Sequence, residues 1–493
     1  MNLLLLIALI VSALILILVA VLLINAARLG PTPVLNPLPP STACGDDASV
    51  ERFRAMLRSA TVWTDDRETS RAAFDAFVPK LKQLYPTVFA QLELTLVNTY
   101  GIMLRWPGAD ASRQPVVFMA HHDVVYADPA AWSHDPFAAD IADGRIWARG
   151  AVDTKCILAG LFEAAQTLLA QGFSPPCDVY ICSSDCEETA GDTTPLMIEH
   201  LAKRGIQPCL VLDEGGAVVD NAPLVIGREF AVIGVSEKGA CNVGITITSS
   251  GGHASVPSPN DATAQLVKGL HAMQTTAVPA QLTATVATML RELAAHGGLG
   301  FKLLLGNLWL FRPLVLRVLQ SNSEAAAMMH TTYALTELEG SKAPNVLPTQ
   351  AKANINIRVD PFESVATAVA RLKAHFGAQA TFDVFDAIEP SPISPYDDAA
   401  FDYLRRVIHS VYPNAGITPY VQNGRTDAAY FARICPHTYR FAGFLFKGDQ
   451  RARVHGADES LDVESFKRGV GFYLELIRNL ELLVQGDGAK REA

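Results

Sequence analysis

Short apolar runs alternate with amphipathic helical stretches between residues 46 and 235, and this alternation constrains the chain more than any other feature. QPVVFMA, CDVYICSS and PCLVLDEGG read as strands, and DTKCILAGLFEAAQTLLAQG and TPLMIEHLAKRG between them read as helices. Strands separated by helices form βαβ units, which commit this part of the chain to an α/β fold with a mostly parallel sheet flanked by helices. In such a sheet, ligands collect beyond the carboxyl ends of the strands. Polar residues stand at those ends. The first strand runs into His121, His122 and Asp123, the second into Asp185, Glu187 and Glu188, and the third into Asp213 and Glu214. Asp153 lies in the loop RGAVDTK that opens the first helix. Turns favour aspartate singly, but imidazole and carboxylate gathered along one sheet edge point to a functional site.

The residue types suggest the chemistry. A pair of zinc ions is held by imidazole nitrogens and carboxylate oxygens, with one carboxylate shared. His121, Asp153, Glu188, Asp213 and one further histidine would satisfy that need. Asp123 shares a strand face with His121, two residues away, so its carboxylate can hold the far ring nitrogen and fix the tautomer. His122 points the other way and reads as a structural residue. Glu187 and Glu188 are adjacent and cannot perform the same task. One is expected to ligate metal while the other, Glu187, moves the proton as general base.

Outside this region the sequence is less regular. The stretch from Leu3 to Ile24 carries no charge and is long enough to cross a bilayer as a helix. It reads as a single-pass anchor, with a cleaved signal peptide as the runner-up, since no Lys or Arg precedes the run. Residues 1–25 are thus expected to be an anchor or signal. Residues 26–45, with GPTPVLNPLPPSTACG, are expected to be a proline-rich tether. Residues 46–235 form a first catalytic segment, residues 236–378 an inserted α+β unit, and residues 379–493 a second catalytic segment. Within the insert, LGFKLLLGNLWLFRPLVLRVLQ at 299–320 is apolar but interrupted by Lys302, Arg312 and Arg317. Charges at those places are costly in lipid, so it reads as a buried helix pair rather than a second span, with an apolar substrate wall as an alternative use. The net charge of -10 offers no basic field for phosphates and excludes nucleic acid as a partner. The eight cysteines form no CxxC pair and read mostly as buried thiols.

HHDVV, RGAVDTK, CEETAG, LDEGG, GGHAS, NVLP with NIR, NGRTDAAYF and RVHG, in that order, resemble the aminoacylase, carboxypeptidase S and glutamate carboxypeptidase family of dizinc hydrolases. The resemblance covers residues 46 to 490. Its texture is similar to the branch of carboxypeptidase S and the N-fatty-acyl-amino-acid synthase/hydrolases. It implies two Zn2+ per subunit, with Co2+ or Mn2+ able to replace them. Asp153 would bridge them, followed by a cis peptide. His121 and Asp213 would complete one site, and Glu188 and His455 the other. Asp123 would orient His121, and Glu187 would be the general base. His253 would be the histidine of a lid and dimerisation domain, stabilising the oxyanion, often from a partner subunit, which implies a homodimer. Arg358, with Asn345, Gly424 and Thr426, would cradle the substrate's free carboxylate. Arg425 departs from the family pattern, which often has a glycine there, and Cys186 stands where an acid is common.

The resulting expectation is a membrane-held amidohydrolase acting on peptide C-termini or N-acyl amino acids, in hydrolysis or condensation. Its catalytic part would be extracytoplasmic, and secreted if the leader is cleaved. The rivals are a di- or tripeptidase and, from another class, a metal-binding membrane receptor without catalysis.

Overall fold

A computed structural model of the chain describes residues 3–64, 67–222 and 225–484. The ends of the expected anchor segment 1–25 and of the final segment 379–493 lie outside those residues. Among the described residues the largest sheet has ten strands. At its centre Val179–Ser184, Val116–His121 and Leu210–Asp213 lie side by side and parallel, with Val116 opposite both Val179 and Leu210. Antiparallel strands flank this centre, so the sheet is mixed. The expected convergence of the three strand ends on one edge is therefore present.

Every residue of Val116–His121 is buried because helices cover both faces. Val116, Phe118 and Ala120 share a core with helices Lys155–Ala170 and Val463–Arg478. Val117 and Met119 point oppositely, against Met197 and Leu201 of Thr193–Lys203. The eight cysteines are free thiols, and all but Cys44 are buried.

A second, four-stranded antiparallel sheet runs in the order Thr332–Glu339, Gln350–Val359, Gly239–Thr248, Ala380–Ile388. Its inner face packs on helices Ala262–Thr275 and Val365–Lys373. Gly239–Thr248 accordingly alternates between buried and more exposed residues, the mark of a one-sided sheet. Its last strand, Ala380–Ile388, lies wholly beyond residue 378, within the stretch expected to belong to the second catalytic segment. Helices Ala284–Ala295, Leu299–Leu305 and Leu308–Gln320 do not join this unit. They build a separate core with Val219 and Phe230 of the large sheet.

Leu3–Arg28 is one continuous helix, long and apolar enough to cross a membrane. The stretch after it has no helix or strand, yet it is pinned to the body before the folded part expected from residue 46. The Thr32 backbone N–H donates to Glu292 (3.3 Å), and Arg405 donates to the Thr32 carbonyl (2.8 Å). Ser41 N–H donates to the Ser410 carbonyl at 2.8 Å. Proline removes backbone donors and stiffens the chain, and the remaining polar groups find partners on the body.

Candidate metal centre

The strand Val116–His121 delivers His121 to the sheet edge, where it is buried. Its Nδ1–H donates to the Asp123 backbone carbonyl (2.9 Å), with the Asp123 carboxylate 3.3 Å away. That leaves Nε2 facing Asp153 Oδ1 at 3.0 Å and Glu214 Oε1 at 3.3 Å. The other Asp153 oxygen lies 3.0 Å from His455 Nε2, and Glu188 Oε2 lies 3.2 Å from the same nitrogen. Asp153 thus stands between two imidazoles. His121, Asp153 and Glu214 form one group with ligand atoms within 4.8 Å of one another; Asp153, Glu188 and His455 form a second. The two share Asp153.

The donor set suits two divalent cations: one carboxylate common to both groups, and one imidazole and one further carboxylate in each. The electrostatics agree. Burial, reinforced by repulsion from Asp153, raises the pKa of Glu214 well above the ordinary range. Glu187 is raised as well, chiefly by burial, with Glu214 and Asp427 adding repulsion. Cations placed between these acids would relieve that cost. Asp153 behaves oppositely: burial opposes its charge, but hydrogen bonds from His121 and His455 outweigh it and hold its pKa below the usual value.

Several backbone features present these groups. The Asp153–Thr154 peptide is cis. Buried Glu459 accepts the N–H groups of Val152 (2.7 Å) and Asp153 (3.1 Å) and pairs with Arg149 (2.6 Å), anchoring the loop that carries Asp153. It is the backbone carbonyl of Asp123 that takes the hydrogen bond from His121, while its carboxylate accepts Glu187 N–H (3.2 Å) and Glu188 N–H (3.0 Å) and fixes the pair's position. His455 has φ +62°, an uncommon left-handed conformation for a non-glycine residue. After Glu214 the chain turns through Gly215 at φ +120°, and a Cβ on Gly216 would stand 2.1 Å from the Val232 carbonyl oxygen. Those two needs account for the glycines of LDEGG.

The geometry departs from the expected site in three places. Asp213 belongs to neither group: its buried carboxylate accepts Ala428 N–H at 2.7 Å, and burial raises its pKa to about 6. Adjacent strand residues face opposite ways. Asp213 lies beside Val211, on the face toward helix Ala428–Phe431, and Glu214 reaches the cluster instead. Thr426 does not offer its donors to the cavity, because both its hydroxyl (2.6 Å) and its N–H (3.2 Å) donate to Glu237. His253 and Asn345 are exposed, brought together by the short antiparallel pairing of Gly252–His253 with Val346–Leu347, and do not line the cavity of their own chain. Sequence reading also did not single out Glu459 or Asp427, a buried acid whose pKa burial raises to about 7, with Asp213 adding repulsion. Strand-end acids can be found by pattern, whereas these lie in loops without a periodic signal. His122 is structural as expected, stacked on Phe77 with ring centroids 4.7 Å apart and bonded to Ser183.

The cluster opens into a cavity of ≈ 770 Å³ that Glu187, Arg358, Gly424 and Arg425 also line. Arg358 sits opposite Ala240, and Asn242 opposite Asn356, across paired strands. Arg358 Nε donates to Asn356 Oδ1 (3.2 Å), whose amide donates to Asn242 (3.0 Å). Burial and the nearby Arg425 both disfavour the Arg358 charge. Arg425 stacks on Tyr430 at 4.4 Å, while its buried Nε and Nη2 find no hydrogen-bond partner among the described residues. Arg451 and the carboxylate of Asp386 also line the cavity; the guanidinium forks of Arg358 and Arg425 have the geometry that suits a carboxylate. Val219, Val232, Met289, Ala325 and Met328 give the cavity an apolar stretch of wall, beside polar lining residues that include Asn322 and Gln422.

Metal uptake is expected to release protons. The hydrogen bonds that His455 donates to Asp153 and then Glu188 raise its pKa to about 10, so without metal it is protonated at neutral pH. A cation requires the neutral ring. Apparent metal affinity should therefore climb with pH by about one log unit per pH unit per proton released, up to the His455 pKa. Calorimetry of metal binding in buffers of differing ionisation enthalpy reads the proton count directly.

The chain is similar to known proteins over most of its length. Residues 117–479 match the family model of Peptidase family M20/M25/M40. The human protein named N-fatty-acyl-amino acid synthase/hydrolase PM20D1 is 31% identical over 442 residues, covering 88% of each chain. A Dictyostelium discoideum protein named probable carboxypeptidase S-like 2 is 28% identical, covering 88% of this chain and 86% of its own. Among solved structures, an M20 family metallo-carboxypeptidase from Sulfolobus solfataricus superposes with a TM-score of 0.63 at 16% identity, covering 90% of this chain and 100% of the other.

Proposed function

The chain belongs to peptidase family M20/M25/M40 and is a metal-dependent peptidase or amidohydrolase; we propose that it uses two zinc ions to hydrolyse an amide bond next to a free α-carboxylate, with N-acyl amino acids as the preferred substrates. The observation that carries this reading is the cavity, which joins two metal-type groups sharing Asp153 to the Arg358 and Arg425 guanidiniums and an apolar wall. We assign one site to His121, Asp153 and Glu214, with Glu214 in place of Asp213, and the other to Asp153, Glu188 and His455. Bound there, the cations supply positive charge that polarises the scissile carbonyl and acidifies the attacking water.

The chain's own residues do the rest. Glu187 accepts the water proton and delivers it to the leaving nitrogen, so the C–N bond breaks as the new C–O bond is kept. Arg358, aligned through Nε by Asn356, presents its remaining N–H groups to the α-carboxylate. Gly424 and Arg425 border the same anion, and Thr426 holds that loop in place through Glu237. Met289, Met328 and Val219 take the acyl chain. The human relative's name, which specifies fatty-acyl amino acids, supports an apolar acyl group. The helix Leu3–Arg28 would hold the enzyme at a membrane.

The test is amine release by metal-replete full-length protein from acyl amino acids, their carboxyl amides, and di- and tripeptides. Faster turnover of acyl amino acids, with loss on amidating the carboxylate, is expected. Preference for unblocked dipeptides would favour the peptidase rival, and binding without turnover would favour the receptor.

His253 and Asn345, lying away from their own cavity, would serve a second copy's site. Mixing His253→Ala protein with Glu187→Gln protein is expected to give activity above either alone, because a mixed dimer contains one site with both groups intact. No recovery after subunit exchange would place His253 outside catalysis in trans.

A further inference from the structure

The segment 299–320 folds as an elbow: Leu299–Leu305 and Leu308–Gln320 meet at 105°. Its inner side contributes Leu305, Val315 and Leu319 to the core that includes Met289, Val219 and Met328 of the cavity wall. Its outer side leaves Leu299, Leu310, Leu314 and Val318 exposed, with Trp309 62% exposed. Lys302, Arg312 and Arg317 are interspersed, and no Asp or Glu lies between Glu292 and Glu324. This is the composition of a helix surface that lies in the interfacial layer of a bilayer: large apolar residues, a tryptophan, and cations without acids.

The occupant of that surface is indicated by what is tied to it. Asn307, fully buried at the bend, accepts from Asn25 Nδ2 (2.8 Å) and donates to the Leu22 carbonyl (3.1 Å). It also donates to Leu303 (2.8 Å) and accepts from Trp309 Nε1 (3.3 Å). One amide thus staples the last turns of the N-terminal helix to the elbow. That helix is exposed on nearly its whole apolar length, and its 26 residues extend about 39 Å, more than the roughly 30 Å hydrocarbon core. Crossing a bilayer buries those side chains and brings the elbow to the level where the helix emerges. Cleavage of the leader would leave part of the Asn307 amide without its partners.

We propose that the elbow seats in the interfacial layer of the membrane crossed by the N-terminal helix, with anionic lipid head groups around Lys302, Arg312 and Arg317. Its inner side packs behind the cavity's apolar wall, in one core with Val219, Met289 and Met328, so the wall stands between the cavity and the layer in which amphiphiles with one carboxylate and a long chain are concentrated. This second consequence rests on the proposed acyl-amino-acid activity; the lipid seat does not.

Full-length protein is reconstituted into phosphatidylcholine vesicles, with and without phosphatidylglycerol, using lipid brominated near the head group or near the chain end. The N-terminal helix has no tryptophan, so its insertion alone quenches nothing. Stronger quenching by the shallow bromines, lost for the most part in Trp309→Phe, is expected. Quenching that is absent, or unchanged in Trp309→Phe, overturns the seat, including the case in which a second copy covers the elbow. Leu314→Asp should raise KM several-fold for a vesicle-borne long-chain acyl amino acid and leave an acetyl amino acid unaffected. An unchanged ratio overturns delivery from the membrane. If neither substrate is turned over by the parent protein, the proposed function fails, and the quenching still decides the seat.

Discussion

Replacing Glu187 by Gln is expected to lower kcat by about 10²- to 10⁴-fold, the usual contribution of a positioned general base, with both metals retained. Glu187 lines the cavity, and its backbone is fixed by the Asp123 carboxylate at 3.2 Å. Glutamine preserves shape and polarity but cannot accept a proton. Burial raises the Glu187 pKa well above that of an ordinary glutamate, His121 opposes the rise, and Glu214 adds to it. The nearby cations would act in the lowering direction. KM should change little, because the carboxylate of the substrate is held elsewhere. Metal analysis alongside steady-state kinetics separates the roles, since Glu187 also lies within 4.8 Å of ligand atoms on His121 and Glu188. Loss of metal in the variant would make Glu187 a ligand, and a loss of activity below about tenfold would move the base elsewhere.

Replacing Arg440 by Met should destabilise the protein by about 3–5 kcal/mol, the cost of stranding a buried charge. Arg440 and Glu237 have no exposed side-chain surface, and they pair at 2.9 Å. Arg440 further donates to the Thr438 carbonyl at 2.8 Å. Glu237 ends the strand Val225–Glu237, and its Oε1 collects three donors: Arg440 Nε, Thr426 Oγ1 and Thr426 N–H. Without the guanidinium, that carboxylate keeps only the threonine, and the loop carrying Gly424 and Arg425 loses part of its anchor. The Glu237→Gln/Arg440→Met double variant should recover part of the loss, because no buried charge is stranded. Urea unfolding midpoints of parent, single and double variants check this. An Arg440→Met protein as stable as the parent would mean that water reaches Glu237.

Much of the site was legible because its signals are local. An apolar run ending in HHD, or an acidic pair after CDVYICSS, can be recognised in a few contiguous residues, and parallel pairing brings their ends together. Legibility stopped where the decision depended on an orientation. Asp213 and Glu214 are equally suitable donors in sequence, and alternation says only that they diverge. Thr426 looked available until its two donors were found on Glu237, 189 positions away. The segment 299–320 read as a buried pair because its charges forbid a span; in the fold one side is buried and the other is bare.

The sequence by itself determined the βαβ framework, the kinds of ligand present and their placement at strand ends, because secondary structure and side-chain chemistry follow from neighbouring residues. Only the tertiary structure decided that Glu214 rather than Asp213 joins His121, that Thr426 turns its donors to Glu237, and that the elbow is stapled to Asn25. Those outcomes depend on strand register and on contacts between residues hundreds of positions apart, where a one-residue shift turns a side chain to the opposite face.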